Sequence, residues 1–247
     1  MSTKRTYGDG CGIARALDLV GERWALIVVR ELLLGPKRFT DLQAGMSGAS
    51  PNVLALRLRE LEAGGVVRRR KLGPPAGSRV YELTEWGYEL EPALMLLGRW
   101  GVRSAGPAEP YRSVDSMMLW QRTRFDPVAG AGLEASYALL VGDDCFVLRA
   151  SGGELTVARG AADRPAATVG ADLETMFAVL TGEEGVAEAA ACGRLTLSGD
   201  PRAVDRLLDA LRLDGSMPRP EREPGSAPEP PAAAAAAAAI PVPVAAG

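Results

Sequence analysis

Asn52, Leu56 and Arg59 lie four and three positions apart, and at about 100° per helical residue they share one side of a helix. An asparagine amide pairs a donor with an acceptor as adenine's groove edge requires. An arginine fork does the same for guanine, and an apolar side chain suits the thymine methyl. The chemistry on offer is the reading of bases. Opposite these residues, Leu54, Leu58 and Leu61 recur at the spacing of a stripe that must be buried. Ser50 supplies a hydroxyl for amides left free at a helix start, and Pro51 fits the first helical position, where a missing N–H costs nothing. Arg57 sits on the flank, where a phosphate contact or an ion pair with Glu60 suits it better than base reading.

Gly64-Gly65 stops this helix, and Val66-Val67-Arg68-Arg69-Arg70-Lys71 follows. A Gly/Pro turn over residues 73–77 leads to Arg79-Val80-Tyr81-Glu82-Leu83. Two short strands around a tight turn make a ribbon, and no acid stands between Glu62 and Glu82. Successive strand residues point to opposite faces, so Arg68, Arg69, Arg70 and Lys71 cannot all face one partner. With Arg79 they suit the DNA backbone or minor groove, giving affinity and salt dependence more than sequence choice. The candidate DNA-contacting set is therefore Ser50, Pro51, Asn52, Leu56, Arg57, Arg59, Arg68, Arg69, Arg70, Lys71 and Arg79. Helix, stop and basic hairpin are the plan of a winged helix.

The elements before and after must hold this unit in place. One helix is expected over Gly12 to Val20, and an apolar one from Trp24 to Leu34 that Gly35-Pro36 ends. A short strand is expected at Lys37 to Phe39, then a small helix from Asp41 to Ala44 capped by Thr40. Thr84 caps a further helix that bends at Pro92 and runs to about Arg103. Leu17, Val20, Leu90, Leu94, Leu96, Leu97 and Trp100 give the first and last of these helices more apolar surface than a small winged helix needs. That surface either packs on the rest of the chain or, as preferred here, joins two copies in a homodimer that presents two recognition helices.

Charge divides the 247-residue chain. Up to Arg112, seventeen lysines and arginines face twelve acids; beyond it, eleven face nineteen. A basic front half hides within a net charge of −3, as expected of a nucleic-acid module joined to a domain with another task. The chain has no histidine and only three scattered cysteines, Cys11, Cys145 and Cys192. Histidine-based triads are thereby excluded, zinc and haem lack their usual ligands, and neither an enzyme nor a cofactor is expected. The start Met1-Ser2-Thr3-Lys4-Arg5 lacks an apolar stretch, no run is long enough to span a membrane, and the cysteines show no disulfide pattern; a cytoplasmic location follows as the expectation.

Cys11 to Gly101 resembles the HxlR-type branch of the MarR-like winged-helix regulators. The resemblance rests on Cys11-Gly12-Ile13-Ala14-Arg15-Ala16-Leu17, Gly21-Glu22-Arg23-Trp24, Arg30-Glu31-Leu32-Leu33-Leu34-Gly35 and Arg38-Phe39-Thr40-Asp41-Leu42. It continues through Ser50-Pro51-Asn52-Val53-Leu54, Arg57-Leu58-Arg59-Glu60-Leu61-Glu62 and Tyr81-Glu82-Leu83-Thr84-Glu85-Trp86-Gly87. It implies a homodimeric bacterial transcription factor, often a repressor, bound to double-stranded DNA. In some such proteins a cysteine at the position of Cys11 senses oxidants. Lys4, Arg5 and Arg15 would favour its thiolate and Asp9 would oppose it; the other reading of Cys11 is a small apolar residue at a helix start.

Beyond residue 105 the pattern changes. Strands are expected at Glu134–Val141, Cys145–Arg149, Glu154–Arg159, Ala166–Val169 and Arg194–Leu197, with hairpin turns at Gly142-Asp143-Asp144 and Ser151-Gly152-Gly153. Helices are expected at Leu173–Leu180, Glu183–Ala191 and Arg202–Leu213, giving an α+β domain with an antiparallel sheet. Ala166 to Leu211 resembles the sterol-carrier-protein-type fold, chiefly in Leu173 to Gly182 and Gly193-Arg194-Leu195-Thr196-Leu197-Ser198-Gly199-Asp200-Pro201. That resemblance implies an apolar tunnel. Met117, Met118, Leu119, Trp120, Phe146, Met176, Phe177 and Leu180 either line such a cavity or fill a core. The expected division is 1–105 for DNA binding and dimerisation, 106–214 for a small apolar effector, and 215–247 as a disordered Pro/Ala-rich tail. Two rivals stand beside the effector-controlled repressor: a regulator switched through Cys11, and a lipid carrier whose front half serves only to dimerise.

Overall fold

The computed structural model describes residues 6–73, 77–102 and 113–211, all within one compact unit, Met1–Asp214. The expected tail, the expected turn at 74–76, Lys4, Arg5 and Arg103, and the last residues of the expected final helix lie outside the described residues.

The chain opens with α1 (Gly12–Val20) and α2 (Ala25–Leu32), then α3 (Phe39–Ala44) and α4 (Pro51–Ala63). The wing follows as β1 (Val67–Lys71) and β2 (Arg79–Leu83), paired antiparallel with Arg68 opposite Glu82 and Lys71 opposite Arg79. Ser50 caps α4 by accepting from the Val53 amide (3.4 Å), while Leu54, Leu58 and Leu61 are buried against α2 and its neighbours. Gly65 takes φ +74° just past the helix, a conformation that a side chain would strain, and it turns the chain into the wing.

Three local expectations need correcting. Lys37 forms only a single bridge to Tyr81 of β2, not a strand. Helix α3 starts one residue before the expected cap Thr40, because the Asp41 carboxylate accepts from the Arg38 amide (3.1 Å) and caps the helix from inside. The helix after Thr84 is two helices, α5 (Glu85–Tyr88) and α6 (Glu91–Gly101). Pro92 lies in the first turn of α6, where no N–H is needed, so the expected bend becomes a new start.

The second half adds α7 (Val114–Arg124), β3 (Ala135–Val141), β4 (Asp144–Ser151), β5 (Glu154–Arg159), β6 (Ala167–Ala171), α8 (Leu173–Thr181), α9 (Val186–Ala191), β7 (Leu195–Gly199) and α10 (Pro201–Leu211). The sheet order is β5-β4-β3-β6-β7. All pairs are antiparallel except one, in which β6 runs parallel to β3. The sheet is mostly antiparallel, as expected, and its one parallel pair arises because residues 160–166 return the chain to the open edge of β3, beginning from the same end. Asp172 caps α8 by accepting from the Thr175 amide (2.7 Å), and Gly182 ends it.

Helix α7, absent from the sequence reading, joins the halves. Met117, Met118, Leu119 and Gln121 are all buried, for α7 packs on α2, α6, α8 and β5 together. The apolar core is consequently continuous from the winged helix to the sheet.

A chain of charges runs across the same junction. Glu31, fully buried, accepts from Arg30 (2.7 Å), from Lys37 Nζ (2.7 Å) and from the Ser113 hydroxyl (2.7 Å). Lys37 also reaches Asp115 Oδ2 (2.5 Å), and Arg159 of β5 pairs with Asp115 and Asp144. Burial pushes the Glu31 carboxyl up, but the charges of Lys37 and Arg30 and the hydrogen bonds from Lys37 and Ser113 outweigh it. Its pKa therefore lies below the usual carboxylate value. Since the Lys37 backbone pairs with Tyr81, this relay connects the root of the wing to the distal sheet.

Candidate nucleic-acid interface

On α4 the structure leaves Asn52, Leu56 and Arg59 exposed and buries the leucines opposite. Ser50 and Pro51 are exposed at the start of the same helix. Arg57 is different. Its side chain is only 12% exposed, and its guanidinium pairs with Glu60 and with Glu22 (3.6 Å). The ion-pair alternative describes its position, and its work is to fasten α4 to the turn between α1 and α2.

The wing sorts its cations by strand face. Arg68 and Arg70 flank Glu82, each at 2.8 Å. On the other face Arg69 pairs with Glu62 (2.9 Å) and lies over the Tyr81 ring at 5.2 Å. All three guanidiniums stay half exposed or more, so each can turn a free edge to a phosphate while an acid holds the other. Lys71 and Arg79 are exposed and face one another across the ribbon. Like charges directly opposite destabilise a strand pair, and an anion between them relieves that repulsion. Glu62, Glu82 and Tyr81, which aim the wing arginines, were missed in the sequence; laying Glu82 opposite Arg68 in the hairpin register would have found the first of these pairs.

Cys11 is exposed at the N-cap of α1. Its thiol pKa is lowered by the backbone amides of Ile13 and Ala14, the free donors of a helix start. Amides therefore take the part expected of neighbouring cations.

The apolar residues of the two outer helices divide. Val20 is buried and Leu90 and Leu94 pack against the core, whereas Leu17, Leu96, Leu97 and Trp100 remain exposed. Between α2, α6, α7 and α8 lies a cleft of about 470 Å³ whose lining includes Met117, Leu119, Trp120 and Phe177. The rings of Trp120 and Phe177 stack at 5.5 Å, and Arg124 lies over Trp120 at 4.5 Å. Met118, Phe146, Met176 and Leu180 lie in the filled core instead. The expected cavity residues thus split between a cleft at the junction of the halves and a solid interior.

Two family models match the chain in succession. The HxlR-like helix-turn-helix family model matches residues 19–109, and that of the SCP-2 sterol transfer family matches residues 125–212. Among solved structures, the reduced form of the transcriptional regulator YodB from B. subtilis is 31% identical, covering 40% of this chain and 98% of that one with a TM-score of 0.35. A structure of the sec-alkyl sulfatase PisA1 is 19% identical with a TM-score of 0.38; the similarity covers 40% of this chain but only 16% of the sulfatase. The HTH-type transcriptional regulator YybR of Bacillus subtilis (strain 168) is 34% identical over 105 residues, which are 42% of this chain and 84% of YybR. With a family model and a relative covered over most of its length in agreement, the chain belongs to the HxlR-like helix-turn-helix family.

Proposed function

We propose that this DNA-binding transcriptional regulator is a homodimeric repressor whose operator affinity responds to a small apolar ligand. The observation that carries the reading is the outer side of α4, where Asn52, Leu56 and Arg59 are exposed beside a wing ending in Lys71 and Arg79. Asn52 and Arg59 read bases, while Arg68, Arg69, Arg70, Lys71 and Arg79 hold phosphates. The exposed Leu17, Leu96, Leu97 and Trp100 support pairing of two copies, because a dimer would cover them. Residues 1–105 form the DNA-binding and dimerisation domain, residues 106–214 the effector-responsive part, and residues 215–247 a tail.

Fluorescence anisotropy tests the reading, with the full chain titrated against its own upstream DNA and a scrambled duplex over a salt series. Tighter, more salt-resistant binding to the upstream fragment supports specific recognition. Equal and steeply salt-dependent binding to both refutes it for that fragment and favours the lipid-carrier alternative, whose DNA affinity is indifferent to Asn52→Ala.

Redox switching through Cys11 is the second reading, supported by its exposure and its lowered thiol pKa. Oxidant should then change DNA affinity in the wild type and leave Cys11→Ser unmoved; an equal response in both proteins sinks it.

A further inference from the structure

We propose that the cleft between the two halves binds an amphipathic organic acid, an apolar and partly aromatic body with one carboxylate or sulfonate, and that Arg30 receives the acidic group. The proposal rests on the effector reading above, for it names the place and the chemistry of that ligand.

The cleft's composition argues for this class. Its walls are apolar, with Ile27 of α2, Met95 of α6, and Trp120 and Phe177 of α7 and α8. Its volume of about 470 Å³ falls within the roughly 300–1,000 Å³ of small-molecule sites. Methionine side chains adapt their shape to an occupant, and the aromatic pair offers ring contacts. Among the described residues of the lining, Arg30 is the one ionisable side chain, and no acid shares it. A neutral apolar ligand would leave that guanidinium unanswered. A cation would meet it as a like charge.

Arg30 also has capacity to spare. One of its nitrogens donates to Glu31 at 2.7 Å, yet its buried Nε has no hydrogen-bond partner among the described residues. Glu31 is already shared with Lys37 and Ser113, so it cannot offset Arg30 alone. A buried donor without a partner is unfavourable, and a guanidinium that turns toward an acid group in the cleft gains a charge-assisted bond.

The site's position supplies a route to DNA. An occupant touches α2, which packs directly on the recognition helix α4, and touches α7 and α8 of the other half. Drawing Arg30 toward the ligand loosens its hold on Glu31 and changes how Glu31 and Asp115 share Lys37, whose backbone is bonded to the wing. The ligand affects operator binding only so far as it prefers one of the two resulting arrangements.

The test uses two dyes on the full chain: 8-anilinonaphthalene-1-sulfonate, and N-phenyl-1-naphthylamine, which shares the ring system but lacks the sulfonate. Fluorescence titration of the wild type should show one saturable site that prefers the sulfonated dye by roughly tenfold, the size of a charge-assisted hydrogen bond. Ile27→Trp, which fills the cleft, should weaken both dyes at least about tenfold. Leu97→Trp fills it from a more exposed position should the first variant fold poorly. Arg30→Gln should abolish the preference and leave the neutral dye unchanged, while Arg30→Lys retains part of it. Dye binding unaffected by both filling variants would place the dye elsewhere and overturn the site. Absence of a preference in the wild type, or equal loss of both dyes in Arg30→Gln, would overturn the role of Arg30. Saturating dye is finally added to the protein–operator complex: cleft binding with unchanged operator affinity leaves the site standing and refutes the effector reading alone.

Discussion

Replacing Lys37 by Met removes the centre of the charge relay while keeping a similar chain length and the backbone bonds to Tyr81. The Lys37 ammonium lies 2.7 Å from Glu31 and 2.5 Å from Asp115, and both carboxylate side chains are fully buried. Removing one partner of a buried ion pair costs about 3–5 kcal/mol, because the other charge stays behind unpaired. Here each acid keeps a second cation, Arg30 for Glu31 and Arg159 for Asp115, so the lower end, about 3 kcal/mol, is expected. With a urea slope of about 1–3 kcal/mol/M, the midpoint should fall by roughly 1–3 M. Adding Asp115→Asn should recover part of the loss, with a coupling of about 0.5–3 kcal/mol. The sign with pH is a second check. In the wild type the Glu31 value is depressed, so its stabilising contribution is complete above the unfolded value and is lost as pH falls through the folded one. In Lys37→Met burial has lost its main opponent and disfavours the ionised carboxylate. The gap between variant and wild type should therefore narrow as pH falls into the carboxylate range. Urea unfolding followed by tryptophan fluorescence at neutral and acidic pH measures both effects. A loss below about 1 kcal/mol, the size of an exposed surface pair, or a gap that does not change with pH, would refute the buried relay.

The DNA surface, the core and the dimer face give three further expectations. Asn52→Ala and Arg59→Ala should each reduce discrimination between operator and scrambled DNA by about 1–3 kcal/mol, whereas Lys71→Ala should weaken both duplexes alike and lower the salt slope by about 0.9; anisotropy that shows the reverse pattern would exchange their roles. The buried Tyr137 hydroxyl has no partner among the described residues, so Tyr137→Phe should leave Tm unchanged or raise it, and a clear fall in a thermal melt would show that the hydroxyl is bonded. Leu17→Asp and Trp100→Asp place charges on exposed apolar residues and should give monomers in sedimentation experiments. Dimers that persist in both would locate the interface elsewhere.

The parts of the fold that the sequence revealed are those specified locally. Ser50-Pro51 at the start of α4, Gly64-Gly65 at its end and the leucine stripe between them are adjacent signals with one mechanism each. The wing was equally clear as a ribbon, but the acids that hold its arginines came into view only with the strand register. Helix α7 left no such trace. A helix enclosed by α2, α6, α8 and β5 has no broad polar stripe to set a period, and its sequence mixes buried Asp115 and Gln121 with buried Met117 and Met118. Glu31 and Ser113 stand 82 positions apart, and nothing local in either announces the other. The parallel β3–β6 pair depends on a chain return that strand patterning does not specify.

The sharing of Glu31 and Lys37 with Ser113 and Asp115 bears on how such a protein can be taken apart or recombined. YybR is matched over 84% of its length by 105 residues of this chain, so a winged helix of that size invites excision here as an independent module. Cutting between α6 and α7 would remove Ser113 and Asp115 from the carboxylate and ammonium they serve, leaving on the severed face an acid and a lysine shaped for an absent neighbour. The transplant in the other direction meets the same obstacle. Fused to a foreign winged helix, this second half would carry Asp115 to a junction that lacks one of its two cations, leaving Arg159 alone to hold it, unless a lysine stood where Lys37 stands. The two halves are separate in sequence pattern, but the seam between them is inherited as a matched set.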